Sequence, residues 1–335
     1  MNLSRRIFAA GALCLASTFV QAENLYVSQW LPEGHPISAV MQDWAKQVEK
    51  STEGRVSLQT LPQPVTNPAG HYNAVRDGLA DIAMTVIGYT PGRFPLSEIA
   101  EMPLMADSAE ANSVAFYRLA EQNPPIMDEY KDVKVLALFS HGPGVVFNSQ
   151  KPVETLDDLR SLKFRVGGGV VNDVAKLLDA NTALKPATES YELLSTGVMD
   201  GVWLPFESLV TYKLDGLIKH ATVFPGGLYS STFIVVMNKD RWNALSKADQ
   251  AAIQALSGEP YSRALGQAFD KRDAEGRALA ERSGIQILAA PEPLVKEAEA
   301  RIEPLQQRWI ELARSRGVSE PEQKIAAYRA EARAQ

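Results

Sequence analysis

Apolar positions along the chain change period several times, and each change marks an element. Asn24–Gln29 has the character of an opening strand. Ile37, Val40, Met41, Trp44 and Val48 then recur at helical spacing, with Gly54 placed where a C-terminal cap would sit. Arg55–Leu61 alternates like a strand. A helix over about 68–79 leads through Gly78 into the apolar run Ile82–Val86. Strand, helix, strand is the unit of a parallel sheet with helices on its faces.

The same alternation returns downstream. Val133–Phe139 reads as a strand, Thr155–Leu159 as a short helical turn and Lys163–Val166 as another strand. Gly167, Gly168 and Gly169 follow, then a helix to about Leu178. A helix near 189–196 precedes the apolar Gly201–Leu204. Phe233–Met237 reads as a buried strand and Lys247–Leu256 as an amphipathic helix. Leu294, Ala298, Ile302, Leu305, Trp309 and Leu312 form one long stripe near the C-terminus. No internal repeat or low-complexity linker interrupts the series, so two α/β lobes that share elements fit better than two separate beads.

The N-terminal segment does not belong to this pattern. Arg5 and Arg6, the apolar stretch Ile7–Val20 and the small-residue site Val20-Gln21-Ala22 make residues 1–22 a secretory signal peptide. The stretch is shorter than the ~20 apolar residues a membrane span needs. Ser4-Arg5-Arg6-Ile7-Phe8 also fits a twin-arginine signal, so the export route stays open between the two. The lone cysteine, Cys14, leaves with the peptide. Cleavage would carry the 335-residue chain from a net charge of −6 to −8 and place it in the periplasm, soluble and thiol-free. An acidic chain without a basic block is a poor nucleic-acid ligand. Four histidines, all distant in sequence, give no zinc motif.

Catalytic patterns are missing. Ser140-His141-Gly142 and Ser231-Thr232 hold hydroxyls and an imidazole, but no G-x-S-x-G elbow accompanies them. Gly167–Gly169 sits where a phosphate-cradling loop would lie, yet it matches no nucleotide fingerprint. Such a turn does let a ligand approach the backbone, and a helix beginning near Val170 offers N–H groups and a positive dipole end. Arg165 lies just before the turn, between apolar neighbours. An arginine there is a satisfied structural ion pair or an anchor for an anion, and the residues alone do not separate the two.

A set of segments in order resembles one family. Leu156-Asp157-Asp158-Leu159-Arg160-Ser161-Leu162-Lys163-Phe164-Arg165-Val166 is followed by Glu189-Ser190-Tyr191-Glu192-Leu193-Leu194-Ser195-Thr196-Gly197-Val198-Met199-Asp200-Gly201. With Gly54-Arg55-Val56, Arg76-Asp77-Gly78-Leu79-Ala80-Asp81-Ile82, Pro91-Gly92-Arg93-Phe94-Pro95 and Met237-Asn238-Lys239-Asp240-Arg241-Trp242, these look like solute-binding proteins of TRAP (tripartite ATP-independent periplasmic) transporters. The resemblance runs from about residue 25 to 256. It implies an α/β, two-lobed periplasmic-binding-protein fold with a ligand cleft between the lobes and a long C-terminal helix across both. The expected lobes are 23–145 with about 235–280, and 146–234 with about 281–335. The resemblance also implies that Arg165 pairs with a ligand carboxylate, for which a planar guanidinium fork is suited.

Departures from the family pattern narrow the ligand. Where many relatives carry a second arginine, this chain reads His141-Gly142-Pro143-Gly144-Val145-Val146-Phe147-Asn148, with no cation besides His141 if it is charged. Val202-Trp203 replaces the acid-tryptophan pair of metal-using relatives, so no metal and no cofactor are expected. The ligand expected is a monocarboxylate with an apolar or aromatic part. Trp203, Phe147 and Phe233 stand between cleft wall and plain core. His35 and Tyr89 stand between ligand contact and simple solvent exposure, Gly168 belongs to the close-approach turn, and Glu207 is a candidate acceptor for a ligand hydroxyl. The expected function is a monomeric extracytoplasmic receptor that delivers an organic acid to TRAP permease subunits. The alternatives are a secreted α/β enzyme acting on a similar acid and the same receptor fold serving a sensor kinase.

Overall fold

The structure, a computed structural model, describes residues 22–333 other than Glu33; residues 1–21, with Cys14 and nearly all of the expected signal peptide, lie outside the described residues. Strands in chain order are β1 (Glu23–Ser28), β2 (Val56–Thr60), β3 (Ile82–Val86), β4 (Val133–Ser140), β5 (Val145–Asn148), β6 (Lys163–Val166), β7 (Asn181–Leu184), β8 (Gly201–Leu204), β9 (His220–Val223), β10 (Thr232–Asn238) and β11 (Gln286–Ala289). They form one sheet ordered β2-β1-β3-β10-β4 and a second ordered β11-β9-β5-β8-β6-β7. The main helices are α1 (Pro36–Ser51), α2 (Ala109–Gln122), α3 (Val170–Leu177), α4 (Glu259–Arg282), α5 (Glu292–Ser315) and α6 (Pro321–Ala332).

Neither sheet is wholly parallel. β10 runs antiparallel between β3 and β4, and β5 runs antiparallel between β8 and β9. This follows from the connectivity: β4 continues into β5, and β9 into β10, so each sheet receives one strand from the other lobe's chain run. The two connections run side by side. Gly144 N–H donates to Tyr229 O (2.9 Å), and Leu228 N–H donates to Gly144 O (3.3 Å). A paired double crossing is a natural hinge. Thr232–Val235, as part of β10, lie in the first sheet, and Val145 already lies in the second.

Helix α1 shows how sequence becomes structure here. Pro36 fixes φ at the first turn, His35 caps it, and Ile37, Met41, Trp44 and Val48 bury one face. Gly54 adopts φ +78° beyond its end, and its N–H returns to Glu49 O (2.8 Å). Trp44 stacks on Tyr261 of α4 at 5.0 Å, tying α1 to that helix beneath the first sheet.

Two long helices link the lobes. In α5, Trp309 Nε1–H donates to Leu96 O (2.8 Å) on the first-sheet side, while Arg301 pairs with Asp179 (2.7 Å) on the second. The sequence pattern did not single out α4, yet it also crosses both. Asp270 accepts from the N–H groups of Ala109 (2.6 Å) and Glu110 (2.9 Å), capping α2, and Asp273 accepts from Glu207 N–H (2.7 Å). A Cβ at Gly276 would lie 2.0 Å from Phe206 O, so only glycine lets α4 seat against the second lobe. Helix α6 packs on α2 rather than on the second sheet, which departs from the expected placement of 281–335. No helix among the described residues is long and apolar enough to cross a membrane.

Candidate ligand-binding site

Strand β6 lies between β8 and β7, and this register governs Arg165. Its Nε–H donates to Lys185 O (2.8 Å), just past β7, and its Nη1 reaches Trp203 O on β8 (3.4 Å). The guanidinium is thus oriented by backbone carbonyls of both neighbouring strands. It is only 3% exposed, and no carboxylate of the described residues lies within salt-bridge distance. Of the two sequence-level alternatives, an internal ion pair is therefore not formed. A buried charge without a partner costs several kcal/mol unless something compensates it.

The cavity beside this guanidinium has a volume of about 50 Å³. Arg165, Gly168, Trp203 and Glu207 line it from the second lobe; His35, Tyr89 and Phe233 line it from the first. Phe147 does not. Its neighbour Val146 pairs with Trp203, and strand alternation turns Phe147 to the opposite face of β5. There it meets Phe206 edge-on at 5.4 Å in the core under the second sheet. Among the cavity-lining residues that the sequence reading missed are Phe269 of α4 and Tyr212 and Tyr229. Tyr261, Leu265 and Phe269 repeat every four residues, a signal that could have found the first of these. Tyr229 lies in the hinge segment, which has no period to read.

The walls are aromatic. Phe233, Phe139 and Phe269 form a group with centroid spacings of 5.0–6.3 Å, and Trp203 stacks on Tyr229 at 6.1 Å. The Trp203 indole N–H is buried and has no hydrogen-bond partner among the described residues. His141 is not a second cation. Burial holds its imidazole down to about 4, and both nitrogens are engaged, Nδ1–H with Gly142 O (2.5 Å) and Nε2 with Ser231 N–H (3.0 Å). It ties the two hinge crossings together. Glu207 accepts from Ser208 Oγ (2.7 Å) and Thr211 Oγ1 (2.6 Å), while burial pushes its carboxyl upward.

The lobes meet around this cavity through three contacts. Tyr89 Oη accepts from Ala187 N–H (3.0 Å), which leaves the phenol proton for another acceptor. Gly88 and Gly168 touch backbone to backbone. Glu101, fully buried on the first-lobe side, accepts from Thr232 N–H (2.9 Å) and Oγ1 (2.8 Å) and also from Val170 N–H (3.1 Å) at the start of α3. The first N–H of α3 is therefore taken by a protein carboxylate instead of standing open to a ligand. Burial pushes the Glu101 carboxyl up to about 7 against these three donors. In Glu101→Gln one amide N–H would oppose a donor. Losing one such buried bond should weaken ligand affinity about 5- to 30-fold. Calorimetry reads this loss, and small-angle scattering should show a more open ligand-free molecule.

A larger, open groove of about 890 Å³ runs beside α2 and α4. Its arginines are already paired: Arg118 with Glu259 (2.8 Å) and Glu331 (2.6 Å), Arg263 with Glu110 (2.7 Å), and Arg277, more loosely, with Glu281 (3.6 Å). An anion finds better terms in the smaller cavity. Among the described residues no group of three or more His, Cys, Asp or Glu is placed to hold a metal ion.

This fold and cleft are those of a solute receptor. Residues 27–312 match the family model "Bacterial extracellular solute-binding protein, family 7", and the chain belongs to that family. It is a TRAP-type solute-binding protein. Over its whole length it is 31% identical to the "Outer membrane transporter protein TsaT" of Comamonas testosteroni, covering 99% of that relative. A TRAP periplasmic solute-binding protein from Bordetella bronchiseptica, solved with bound (R)- and (S)-mandelate, is 44% identical. It superposes with a TM-score of 0.89 over 92% of this chain and 98% of that one. A second, from Rhodoferax ferrireducens with copurified benzoate, is 31% identical with a TM-score of 0.84, over 92% and 97% of the two chains.

Proposed function

We propose that this protein is a periplasmic receptor for an aromatic monocarboxylate, released from residues 1–22 on export, which hands its ligand unchanged to a TRAP permease. The observation that carries this reading is the buried, unpaired Arg165 guanidinium at the end of an aromatic-walled cavity. One cation calls for one anionic group. The remaining walls, Trp203, Tyr229, Phe233 and Phe269, favour an apolar ring and offer no second cation to a second carboxylate. The buried Glu207 in the same wall disfavours one further. Mandelate and benzoate, the ligands of two similar receptors, are acids of this kind.

Binding then follows from the geometry. A cavity that holds benzene measures ~150 Å³, so the 50 Å³ seen here must enlarge to admit a ring. The lobes, one built on each sheet, would part at the paired crossings 141–144 and 224–231, and close with Tyr89, Gly88 and Glu101 meeting the second lobe. Closure excludes water from the carboxylate–Arg165 pair and so strengthens it. A ligand can shift this equilibrium only by its differential affinity for the closed state. No step requires bond making or breaking, which is why the receptor reading is preferred to an enzyme.

Calorimetry with benzoate, mandelate, succinate and glucuronate tests the class of ligand. The aromatic monocarboxylates should bind at least ~10-fold tighter than either of the others, because a second charge would be desolvated without a partner. At ~100 times its dissociation constant the preferred acid should stabilise the fold by about 2.7 kcal/mol in thermal unfolding. Mass spectrometry should recover it unaltered. A dicarboxylate or sugar acid that binds tightest would contradict the reading.

A further inference from the structure

We propose that His35 provides a second, uncharged polar subsite in the cavity, whose Nε2–H receives a hydroxyl or oxo oxygen carried by the ligand in addition to its carboxylate. This deepens the monocarboxylate reading above and rests on it. The tautomer is set by helix α1. The Nδ1 atom accepts from Ile37 N–H (3.2 Å), and a backbone N–H can only donate, so Nδ1 carries no proton. Burial, helped by the nearby Arg272, drives the imidazole down to about 3, so the ring is neutral and its one proton sits on Nε2.

That Nε2–H is a donor without a hydrogen-bond partner among the described residues, on a side chain only 3% exposed that lines the cavity. Facing the cavity, this donor is one that a ligand oxygen would engage. The ring is held rather than loose. Its Nδ1 edge is fastened to α1, and it stands edge-on to Phe269 at 6.0 Å. The other histidine of the cavity offers no such group, since both nitrogens of His141 are already bonded within the hinge.

Position adds a second argument. Arg165 belongs to the second lobe, whereas His35 precedes α1 in the first. An acid with an oxygen besides its carboxylate can engage both at once only when the lobes are together. The His35 contact therefore favours hydroxylated or oxo acids and the closed form through the same bond. A single neutral N–H brings no counter-charge to offset the desolvation of a second carboxylate, so the subsite favours an uncharged oxygen substituent over a dicarboxylate.

A matched pair of acids isolates the contact: mandelate and phenylacetate differ only in the hydroxyl. Calorimetry on the wild type should give mandelate a roughly 3- to 10-fold advantage, the worth of one net hydrogen bond. In His35→Asn a side-chain oxygen can still cap α1, but it does not reach as far as Nε2. The ratio of the two affinities should fall to within about twofold, with circular dichroism confirming that the variant is folded. A ratio unchanged in His35→Asn overturns the proposal, and so does a wild type that binds both acids equally. If the wild type binds neither acid, the monocarboxylate reading falls, and this subsite with it.

Discussion

Arg165→Ala should weaken binding of the aromatic acid by roughly 30- to several-thousand-fold while leaving the protein folded. Truncating one partner of a buried, hydrogen-bonded charge pair costs about 2–5 kcal/mol, largely because the other charge stays desolvated and unpaired. At ~1.4 kcal/mol per tenfold, that range gives the expected loss. The protein's net charge of −6 adds to the effect, since the overall field repels an anion and only a local cation can hold it. Arg165→Lys should recover only part of the affinity. An ammonium lacks the planar fork, and it cannot reproduce the bonds to Lys185 O and Trp203 O that orient the guanidinium. The ligand-free variant should melt no lower than the wild type, because the substitution removes a buried charge that no protein carboxylate offsets. Calorimetry and thermal unfolding of the two variants check both halves.

The second large effect is steric. A Cβ on Gly88 would lie 2.2 Å from Gly168 O, and a Cβ on Gly168 would lie 2.0 Å from Gly88 O. Real Cβ atoms do not approach backbone so closely, and backbone cannot rotate away as a side chain can. Neither glycine has a positive φ, so alanine is tolerable at both positions wherever the lobes stand apart. Gly88→Ala or Gly168→Ala should therefore spare the ligand-free fold and obstruct closure, lowering affinity by ~100-fold or more (about 3 kcal/mol). Small-angle scattering offers the check: the wild type should compact on adding ligand, and the alanine variants should not. Normal compaction in both variants would mean that this glycine contact is not part of the liganded form.

Much of the fold was legible because its central strands are short, apolar and bounded by glycine or polar residues. β3, β6 and β8 fall where the runs Ile82–Val86, Lys163–Val166 and Gly201–Leu204 begin and end. Helix α4 was not legible, although it is among the longest. Its first half shows Tyr261, Leu265 and Phe269, but glycines replace large residues at the contacts 266 and 276, and its polar face is crowded with charge. The period fades where packing is closest.

For the site, the turn after Arg165 could be read from sequence because strand, glycines and helix are adjacent. Phe147 was placed without its face. A one-residue step along β5 decides between Val146, which faces the Trp203 side, and Phe147, which does not. Glu101 could not be found at all. Its partners Val170 and Thr232 lie 69 and 131 residues away, and an acid ahead of Met102-Pro103 carries no mark of burial. The tautomer of His35 likewise depends on a helix N-terminus that only coordinates reveal.

A crystal structure of the protein with benzoate or mandelate tests the central claim most directly. The account predicts both carboxylate oxygens on the Arg165 guanidinium at about 2.7–2.9 Å, with the ring between Trp203, Tyr229, Phe233 and Phe269. A carboxylate bound away from Arg165, or a ligand seated in the groove beside α2 and α4, would contradict it.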